Sequence, residues 1–247
     1  MSLTLKFPVF IYPTMNWRVL RFGEVSSTQE VAREHAVPDG LEWLVVVAET
    51  QSGGRGSRGR EWQSRSGGLY MTVVLKPDGH IGLVPLLAGV AVSEAISEVA
   101  GFEAQLKWPN DVLLHGKKVG GILVESVWSG GTLRFILLGV GVNVNNDLPD
   151  ALPEATSLSK ELGWEVDLDP LMHSILERLE RHLDKLPLDP ELVLCSWKKR
   201  NQTLGRRVVV TDRSGEPIEG IATDVDLEGA LLVETDRWLR RVLSRRI

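Results

Sequence analysis

A series of extended, largely apolar segments in the middle of the chain is separated by very short connections. The segments are Ala104–Lys107, Val112–Leu114, Lys118–Val127 and Thr132–Val144. The last three are joined only by His115-Gly116-Lys117 and Ser129-Gly130-Gly131. Parallel strands need a crossover of about a dozen residues, whereas antiparallel strands can be joined by a tight turn. The sequence therefore predicts that these segments pair antiparallel in one sheet.

Helix and strand signals lie on both sides of this region. Ser27 followed by Glu30 is the pattern of a capping box and predicts a helix to about Ala36. A proline or an Asp-Pro pair marks the start of each later helix. These helices are predicted from Pro85 to Gly101, from the N-cap Asp169 with an apolar stripe from Leu171 to Leu186, and from Asp189 through Trp197, with strands at Trp43–Ala48 and Leu69–Lys76. The predicted class is α+β, with a mixed, largely antiparallel sheet and flanking helices.

The pattern changes after Arg207, where short β-rich segments alternate with turns. The segments are Val208–Thr211, Ile218–Val225, Ala230–Glu234 and Trp238–Leu243. Such spacing is typical of a small all-β module. We therefore expect a catalytic domain over residues 1–201 and a C-terminal β domain over residues 202–247.

The net charge, the cysteine count and the length of the apolar stretches exclude several classes of protein. The formal net charge is −5, so the overall charge does not indicate nucleic acid as the main partner. Cys195 is the single cysteine, which excludes an internal disulfide and a cysteine zinc cluster and favours a reducing cytoplasm. The longest apolar stretches, Ile81–Val92 and Phe135–Val144, are short of the ~18 residues of a membrane span. We expect a cytoplasmic protein without a membrane partner.

The stretch from Gln51 to Gly68 has no periodicity and reads as one long loop, rich in glycine, serine and arginine. Residues 51–65 contain four arginines against the single acid Glu61, and guanidinium groups suit phosphate or carboxylate oxygens. The run Gly54–Gly59 matches GxGxxG and Asp78 follows at a suitable distance, but no helix opens at the third glycine, so a dinucleotide site is not favoured. A solvated flexible loop is the alternative.

A second polar cluster follows at the end of a strand, in Lys107-Trp108-Pro109-Asn110-Asp111, with Lys118 on the next strand. Two lysines on neighbouring strands can stabilise charge on a transferring phosphoryl group, although they could also be ordinary surface lysines. Gly139 and Gly141 indicate close approach of backbone or ligand. GxxxxGK[ST], GxSxG and HExxH are absent, which disfavours metal hydrolysis and nucleophilic catalysis by serine or cysteine.

Four ordered blocks resemble the signatures of the biotin protein ligases. They are AETQSGGRGSRGREW at 48–62, KWPND at 107–111, KVGGILVE at 118–125 and GVGVN at 139–143. ATSL at 155–158 and the C-terminal module are also similar to that family. The resemblance implies a fold of the class II synthetase and biotin/lipoate ligase type, with a small SH3-like β-barrel at the C-terminus. It also implies activation of biotin by Mg-ATP to biotinyl-5'-AMP and transfer to a lysine of a biotin carboxyl carrier domain.

The resemblance also implies roles for individual residues. Lys118, Lys107 and Arg55 are the expected catalytic residues. Biotin is expected to contact Ser27, Thr28, Gln29, Gln51, Gly54, Arg55, Gly56, Ser57, Lys118 and Gly121. ATP or the adenylate is expected to contact Arg58, Arg60, Trp62, Asn110, Asp111 and Asn143, and Mg²⁺ is expected at Asn110 or Asp111.

Two positions depart from the family pattern. Ser57 stands where an arginine is common, and Gln29 stands where asparagine is usual. The loss of one positive charge predicts that the adenylate is retained less tightly than in relatives with arginine, and that Arg58 or Arg60 compensates.

Partners and rival functions complete the expectations. Only 26 residues precede Ser27, too few for a winged helix-turn-helix, so we expect no DNA binding. The C-terminal arginines, Arg237, Arg240, Arg241, Arg245 and Arg246, are expected to contact an acidic carrier domain. The resemblance makes a homodimer plausible. A lipoate or octanoate ligase and a non-catalytic biotin- or nucleotide-binding regulatory module are the alternatives.

Overall fold

One eight-stranded sheet forms the centre of the protein. The computed structural model describes residues 10–11, 17–36, 43–76, 79–212 and 215–243. The strands are β1 (Phe10–Ile11), β2 (Arg18–Val25), β3 (Leu44–Gln51), β4 (Leu69–Leu75), β5 (Gln105–Lys107), β6 (Asp111–Leu114), β7 (Lys117–Ser129) and β8 (Thr132–Val142), in the order β1-β2-β3-β4-β8-β7-β6-β5. The pair β2–β3 is parallel and the other pairs are antiparallel. The prediction of antiparallel pairing from β5 to β8 is confirmed.

The sheet has an apolar layer on each face because side chains of successive strand residues point in opposite directions. On β3, Val45 and Val47 belong to the main core, whereas Leu44, Val46 and Ala48 belong to a second, smaller core. The sheet is therefore covered on both faces, which is why β3 and β4 read as continuous apolar runs rather than as alternating ones.

Five α-helices flank the sheet in the part of the chain that the structure describes. They are α1 (Thr28–His35), α2 (Val84–Ala100), α3 (Leu158–Leu162), α4 (Leu168–Lys185) and α5 (Pro190–Arg200). The helix α1 packs with the smaller core, and α2, α4 and α5 pack with the main core. The segment Ile81–Ala100, which includes α2, is apolar and long enough to cross a membrane, but it is two-thirds buried. Its apolar character is explained by packing inside the protein.

The capping predictions are partly confirmed. Ser27 caps α1 by accepting a hydrogen bond from Gln29 N at 3.3 Å, while Glu30 accepts one from the Ser26 hydroxyl instead of completing the box. Asp189 caps α5 as predicted.

The prediction that Asp169 caps α4 is wrong. Asp167 is the N-cap, and its carboxylate accepts a hydrogen bond from Asp169 N at 3.2 Å. Asp167 has an extended backbone and Leu168 is already helical, so the helix begins two residues before Pro170. Proline is tolerated there because N–H groups of the first helical turn have no intrahelical partner.

The C-terminal residues form a four-stranded antiparallel sheet, as predicted. Its strands are β9 (Arg207–Thr211), β10 (Pro217–Val225), β11 (Leu231–Glu234) and β12 (Leu239–Val242), in the order β12-β11-β10-β9. The α+β fold class is confirmed, and the domain division at residues 201/202 stays a prediction.

Candidate active site

A cleft of about 960 Å³ lies where α1, the 51–68 loop and the ends of β7 and β8 meet. Most of the predicted site residues line this cleft. They are Ser27, Thr28, Gln29, Gln51, Arg55, Gly56, Ser57, Arg60, Trp62, Lys107, Asn110, Asp111, Lys118, Gly121 and Asn143. Two predicted residues, Gly54 and Arg58, are not among the lining residues. The fold thus brings together blocks that are up to about a hundred positions apart in the sequence.

The 51–68 loop is folded back on itself by backbone pairing. Isolated bridges join Gln51 to Ser64 and Arg55 to Glu61, and Trp62 N donates to Gly54 O at 2.9 Å. Gly54 is required by this pairing, since a Cβ there would lie 2.3 Å from Trp62 O. The segment is a loop, as predicted, and these pairings disfavour the alternative of a solvated flexible loop. Isolated backbone bridges, and not a long helix or a regular strand pair, hold this loop. Its sequence therefore shows no hydrophobic periodicity.

One end of the cleft holds a network of buried polar groups. Gln51 Oε1 accepts from Thr28 N at 2.8 Å and from the Thr28 hydroxyl at 3.1 Å, and Gln51 Nε2 donates to Ser64 Oγ at 2.7 Å. Thr28 Oγ1 also lies 2.9 Å from Thr72 Oγ1. Thr28 and Thr72 are almost fully buried. These hydrogen bonds fix the amide of Gln51 and the N-terminus of α1, so this end is preorganised for a polar ligand group.

The side chain of Gln29 on α1 lies against Gly139 of β8, where the absence of a side chain leaves room for it. Its Nε2 donates to Leu123 O at 3.1 Å, and a Cβ on Gly139 would lie 2.8 Å from that nitrogen. The close approach that was predicted at Gly139 is therefore made by Gln29. Arg55 Nη2 donates to Gln29 Oε1 at 3.4 Å. The glutamine that replaces the usual asparagine at position 29 is therefore in contact with the 51–68 loop.

Arg55 is held by a carboxylate on β7. Its Nη2 lies 3.4 Å from Glu125 Oε2, which also pairs with Arg33 of α1 at 3.1 Å. The Nε of Arg55 is buried and has no hydrogen-bond partner among the described residues. The side chain of Arg55 lines the cleft and is about one-third exposed, but the Nε itself is enclosed by the protein.

Trp62 lies over two glycines at the ends of β7 and β8. A Cβ on Gly141 would lie 2.7 Å from the indole Nε1, and a Cβ on Gly121 would lie 3.0 Å from Cζ3. The Lys118 Nζ lies 5.4 Å from the centroid of the indole ring, a cation–π distance. The Nε1 is buried without a hydrogen-bond partner in the described part of the chain. Trp62 therefore forms one wall of the cleft beside Lys118.

Lys118 also forms an ion pair with Asp111 of β6. The Nζ–Oδ1 distance is 2.5 Å, and both side chains are about one-quarter exposed. The buried Oδ1 makes no hydrogen bond of acceptable geometry in the described residues, so the contact is an ion pair rather than a directed hydrogen bond. Lys107 is exposed and lies opposite Asp111 in the β5–β6 register. Two cations and one carboxylate therefore share this end of the cleft.

The two predicted asparagines are both engaged. Asn110 Nδ2 donates to Ile122 O at 2.7 Å, which ties the start of β6 to β7. Asn143 is buried, and its Oδ1 accepts from Asn146 Nδ2 at 3.2 Å. The described residues contain no group of three or more His, Cys, Asp or Glu residues suited to a metal ion. A cation here would depend on Asp111 and on the ligand for its coordination.

Some lining residues were missed by the sequence reasoning. The segment Leu148–Ala155 forms a rim of the cleft, and Lys118 N donates to Glu154 O at 2.7 Å. The segment is mostly exposed and irregular, so it has no pattern from which its position could be read. Tyr70 also lines the cleft, and burial raises the pKa of its hydroxyl well above the usual value.

The C-terminal arginines are partly neutralised within their own module. Arg241 pairs with Asp226 at 2.5 Å and also with Glu228, and Arg240 lies 4.0 Å from Asp212. Although burial acts in the opposite direction, the hydrogen bonds from Arg241 and from backbone N–H groups hold the pKa of Asp226 below its usual value. Arg245 and Arg246 lie outside the described residues. These pairs weaken the case that the arginines bind an acidic partner.

Comparisons with known proteins agree with this site. Residues 23–143 match the model of the biotin/lipoate A/B protein ligase family, and residues 203–244 match the biotin protein ligase C-terminal domain. The fold and the site therefore define a ligase of the biotin/lipoate type.

Curated relatives and solved structures narrow the class. The bifunctional ligase/repressor BirA of Bacillus subtilis is 37% identical over 229 residues, covering 89% of this chain and 70% of that protein. The biotin–[acetyl-CoA-carboxylase] ligase of Paracoccus denitrificans is 36% identical, covering 78% and 84%. The structure of the Aquifex aeolicus biotin protein ligase in complex with biotin and ATP is 31% identical, with a TM-score of 0.82 and coverage of 92% and 95%. The chain belongs to the biotin protein ligase family.

Proposed function

We propose that this protein activates biotin with ATP and transfers it to a lysine of a biotin carboxyl carrier domain of a biotin-dependent carboxylase. The position of Lys118 carries the proposal. Its ammonium group lies 5.4 Å from the centroid of the Trp62 ring and 2.5 Å from Asp111 Oδ1, in the lining of the cleft. The similarity to the Aquifex aeolicus enzyme with biotin and ATP supports the choice of both substrates.

The end of the cleft that contains Thr28 and Gln51 suits the ring of biotin. A ureido group offers one carbonyl acceptor and two N–H donors, and this end supplies hydroxyl and amide groups that can match them. Thr28 and Gln51 are already fixed by 2.8 and 3.1 Å hydrogen bonds, so little side-chain entropy is lost when a ligand binds. The further expected contacts of biotin are Ser27, Gln29, Gly54, Arg55, Gly56, Ser57, Lys118 and Gly121.

The first step would form the mixed anhydride biotinyl-5'-AMP. A carboxylate oxygen of biotin attacks the α-phosphorus of ATP, the bond from that phosphorus to the bridging oxygen breaks, and pyrophosphate leaves with its electron pair. Both reactants are anionic, so their approach requires positive charge. Lys118, Arg55 and Lys107 line the cleft and supply it, and Arg60 is a further cation of the lining.

The second step would use the same activated carbonyl. The amine of the carrier lysine attacks it, an amide forms, AMP leaves and the amine loses a proton. No protein nucleophile takes part, in agreement with the absence of a nucleophile motif from the sequence. Catalysis then rests on positioning and on charge neutralisation.

Magnesium fits the residues at this site. Mg²⁺ is usually held by one or two carboxylates together with substrate phosphates and water, rather than by a cage of protein ligands. Asp111 Oδ1 is buried and makes no hydrogen bond within the described residues, so it can serve as that carboxylate after Lys118 moves to the phosphate. Asn110 donates its Nδ2 to Ile122 O and could coordinate only through its neutral Oδ1, whereas Asp111 offers a charged carboxylate and is the better candidate. The ion would neutralise phosphate charge.

We also propose that the protein is located in the cytoplasm, which the single cysteine supports. We further propose that it is a homodimer in solution, which the resemblance supports. Sedimentation velocity at several concentrations tests the homodimer directly. A monomer at all concentrations would contradict it.

Release of pyrophosphate from Mg-ATP tests the activation step. The protein is incubated with biotin, with lipoate or with neither. We expect release only with biotin. Release with lipoate but not with biotin would favour a lipoate ligase. If neither acid causes release although biotin binds tightly, a regulatory module would be favoured.

A further inference from the structure

Trp108 lies in the segment Lys107–Asp111 between β5 and β6, here called the catalytic turn, but it does not line the cleft. It stands between Lys107 and the pair Asn110 and Asp111, all three of which do line it. The indole is only 6% exposed and belongs to the main core. Because the backbone of Trp108 connects these polar residues, its position sets theirs.

Both N–H donors of Trp108 bind residues of the C-terminal part of the chain. The indole Nε1 donates to Gly229 O at 3.1 Å, and the backbone N donates to Thr203 Oγ1 at 2.8 Å. Gly229 belongs to the turn between β10 and β11, and Thr203 lies between α5 and β9. The catalytic turn is thus held from two points that are about a hundred residues away in sequence.

The turn that presents Gly229 O is itself rigid. Asp226 Oδ1 accepts from Glu228 N at 2.9 Å and from Ala230 N at 3.0 Å, and Arg241 pairs with the other carboxylate oxygen. Gly229 has a φ of +75°, a conformation that favours glycine. A Cβ at that position would also lie 2.2 Å from Gly82 O, just before α2. The turn is therefore packed against the catalytic part of the protein, backbone to backbone.

The Thr203 acceptor is fixed in a similar way. Asn201 Oδ1 accepts from Thr203 N at 2.9 Å, and Gln202 N donates to Leu106 O at 2.7 Å beside β5. Thr203 is almost fully buried. Its hydroxyl cannot move far without disturbing the edge of the sheet.

We propose that Trp108 is a positioning residue, through which Thr203 and the Asp226–Ala230 turn hold Lys107, Asn110 and Asp111 in place for activation of biotin. The inference rests on the proposed function. Loss of either hydrogen bond leaves a buried polar group unpaired and allows the turn to shift. A shift of 1 Å in a catalytic group can reduce the rate by about a hundredfold.

The test compares kcat and KM for biotin-dependent pyrophosphate release. Trp108→Phe removes the indole donor and keeps an aromatic ring, and Thr203→Val removes the hydroxyl acceptor at nearly constant volume. We expect kcat to fall at least fivefold in both variants. The KM for biotin should stay within twofold, because Thr28 and Gln51, the groups proposed to bind the biotin ring, lie on α1 and β3, away from the Lys107–Asp111 turn. Thr203→Ser keeps the acceptor and should retain the wild-type kcat.

A matched control separates positioning from general destabilisation. Val233→Ala removes buried apolar volume from the same C-terminal sheet without removing either hydrogen bond of Trp108. We expect it to lower Tm and leave kcat unchanged. A kcat within twofold of wild type for Thr203→Val, or an equal loss of kcat in Val233→Ala, would overturn the inference. Wild-type protein without biotin-dependent release would instead refute the proposed function.

Discussion

Adding a single methyl group at Gly141 should disrupt the cleft by displacing Trp62. No positive φ is recorded for Gly141, so alanine fits its backbone, and the obstacle is the indole. A new Cβ would lie 2.7 Å from both Nε1 and Cε2. Carbon atoms in contact are normally ~3.5–4.0 Å apart, so the ring must move by roughly 1 Å.

The expected magnitude follows from that displacement. Trp62 lies beside Lys118, whose Nζ is 5.4 Å from the ring centroid, so the shift reaches the proposed catalytic ammonium. Misplacement by about 1 Å costs up to about a hundredfold in rate, and we expect kcat for pyrophosphate release to fall by about 10- to 100-fold, or ~1.4–2.8 kcal/mol of barrier. The assay is biotin-dependent release of pyrophosphate at saturating ATP.

Two further variants complete the test. Gly89→Ala adds the same methyl group on α2, where the nearest atom is Leu106 Cδ2 at 3.4 Å, and it should leave kcat unchanged. Trp62→Phe offers a smaller ring, so the double variant Gly141→Ala with Trp62→Phe should be less impaired than the two single effects combined. A kcat within twofold of wild type for Gly141→Ala, or strict additivity in the double variant, would refute the steric reasoning.

Three other predictions concern the charges of the protein. Lys118→Gln should reduce pyrophosphate release by at least a hundredfold, because the charge nearest the expected phosphate is lost, while circular dichroism stays unchanged. Ser57→Arg should slow dissociation of labelled biotinyl-5'-AMP by severalfold, since Ser57 lines the cleft and the new guanidinium adds a phosphate partner. The pKa of Glu94 lies below 4.5. Burial raises this pKa, but the hydrogen bond with His182 and the charges of Arg200 and Arg178 outweigh burial and lower it. The stability from this carboxylate is complete above its unfolded pKa and is lost as the pH falls through the lower folded pKa. The Tm difference between wild type and Glu94→Gln should therefore be complete well above pH 4.5 and shrink as the pH falls below that value.

Each of these predictions has a contradicting result. Activity of Lys118→Gln within tenfold of wild type would remove Lys118 from the activation step. An unchanged adenylate dissociation rate in Ser57→Arg would show that the charge at position 57 does not control retention. A Tm difference for Glu94→Gln that does not depend on pH would mean that Glu94 gains nothing from ionisation in the folded state.

Sequence patterns predict the parts of the fold that depend on local rules. The two-residue connections before and after β7 allow only antiparallel pairing, and the cap of Asp189 is read from the chain directly. By contrast, β2 was not predicted, because Arg18, Arg21 and Glu24 interrupt its apolar pattern. It pairs in parallel with β3, the next strand along the chain, through α1 as the crossover. Because β2 was not predicted, this strand–helix–strand unit was not predicted either.

The candidate site was predictable in its residues more than in its geometry. The glycines of β8 indicated a close approach, but only the fold shows that Gln29 lies against Gly139 and Trp62 against Gly141. The pairing of Asp111 with Lys118 likewise depends on the β6–β7 register, which shifts between Val112 and Leu113. A bulge of this kind cannot be counted from the sequence, because one extra residue in a strand changes which side chains meet.

The mass of a biotin carboxyl carrier domain after incubation with this protein tests the central claim most directly. The carrier, biotin, ATP and Mg²⁺ are combined, and intact-mass and peptide spectra are recorded with and without the enzyme. We predict an enzyme-dependent addition of one biotin through an amide on a single lysine, with no addition when ATP is omitted. An unmodified carrier in the presence of all four components and folded enzyme would contradict the account.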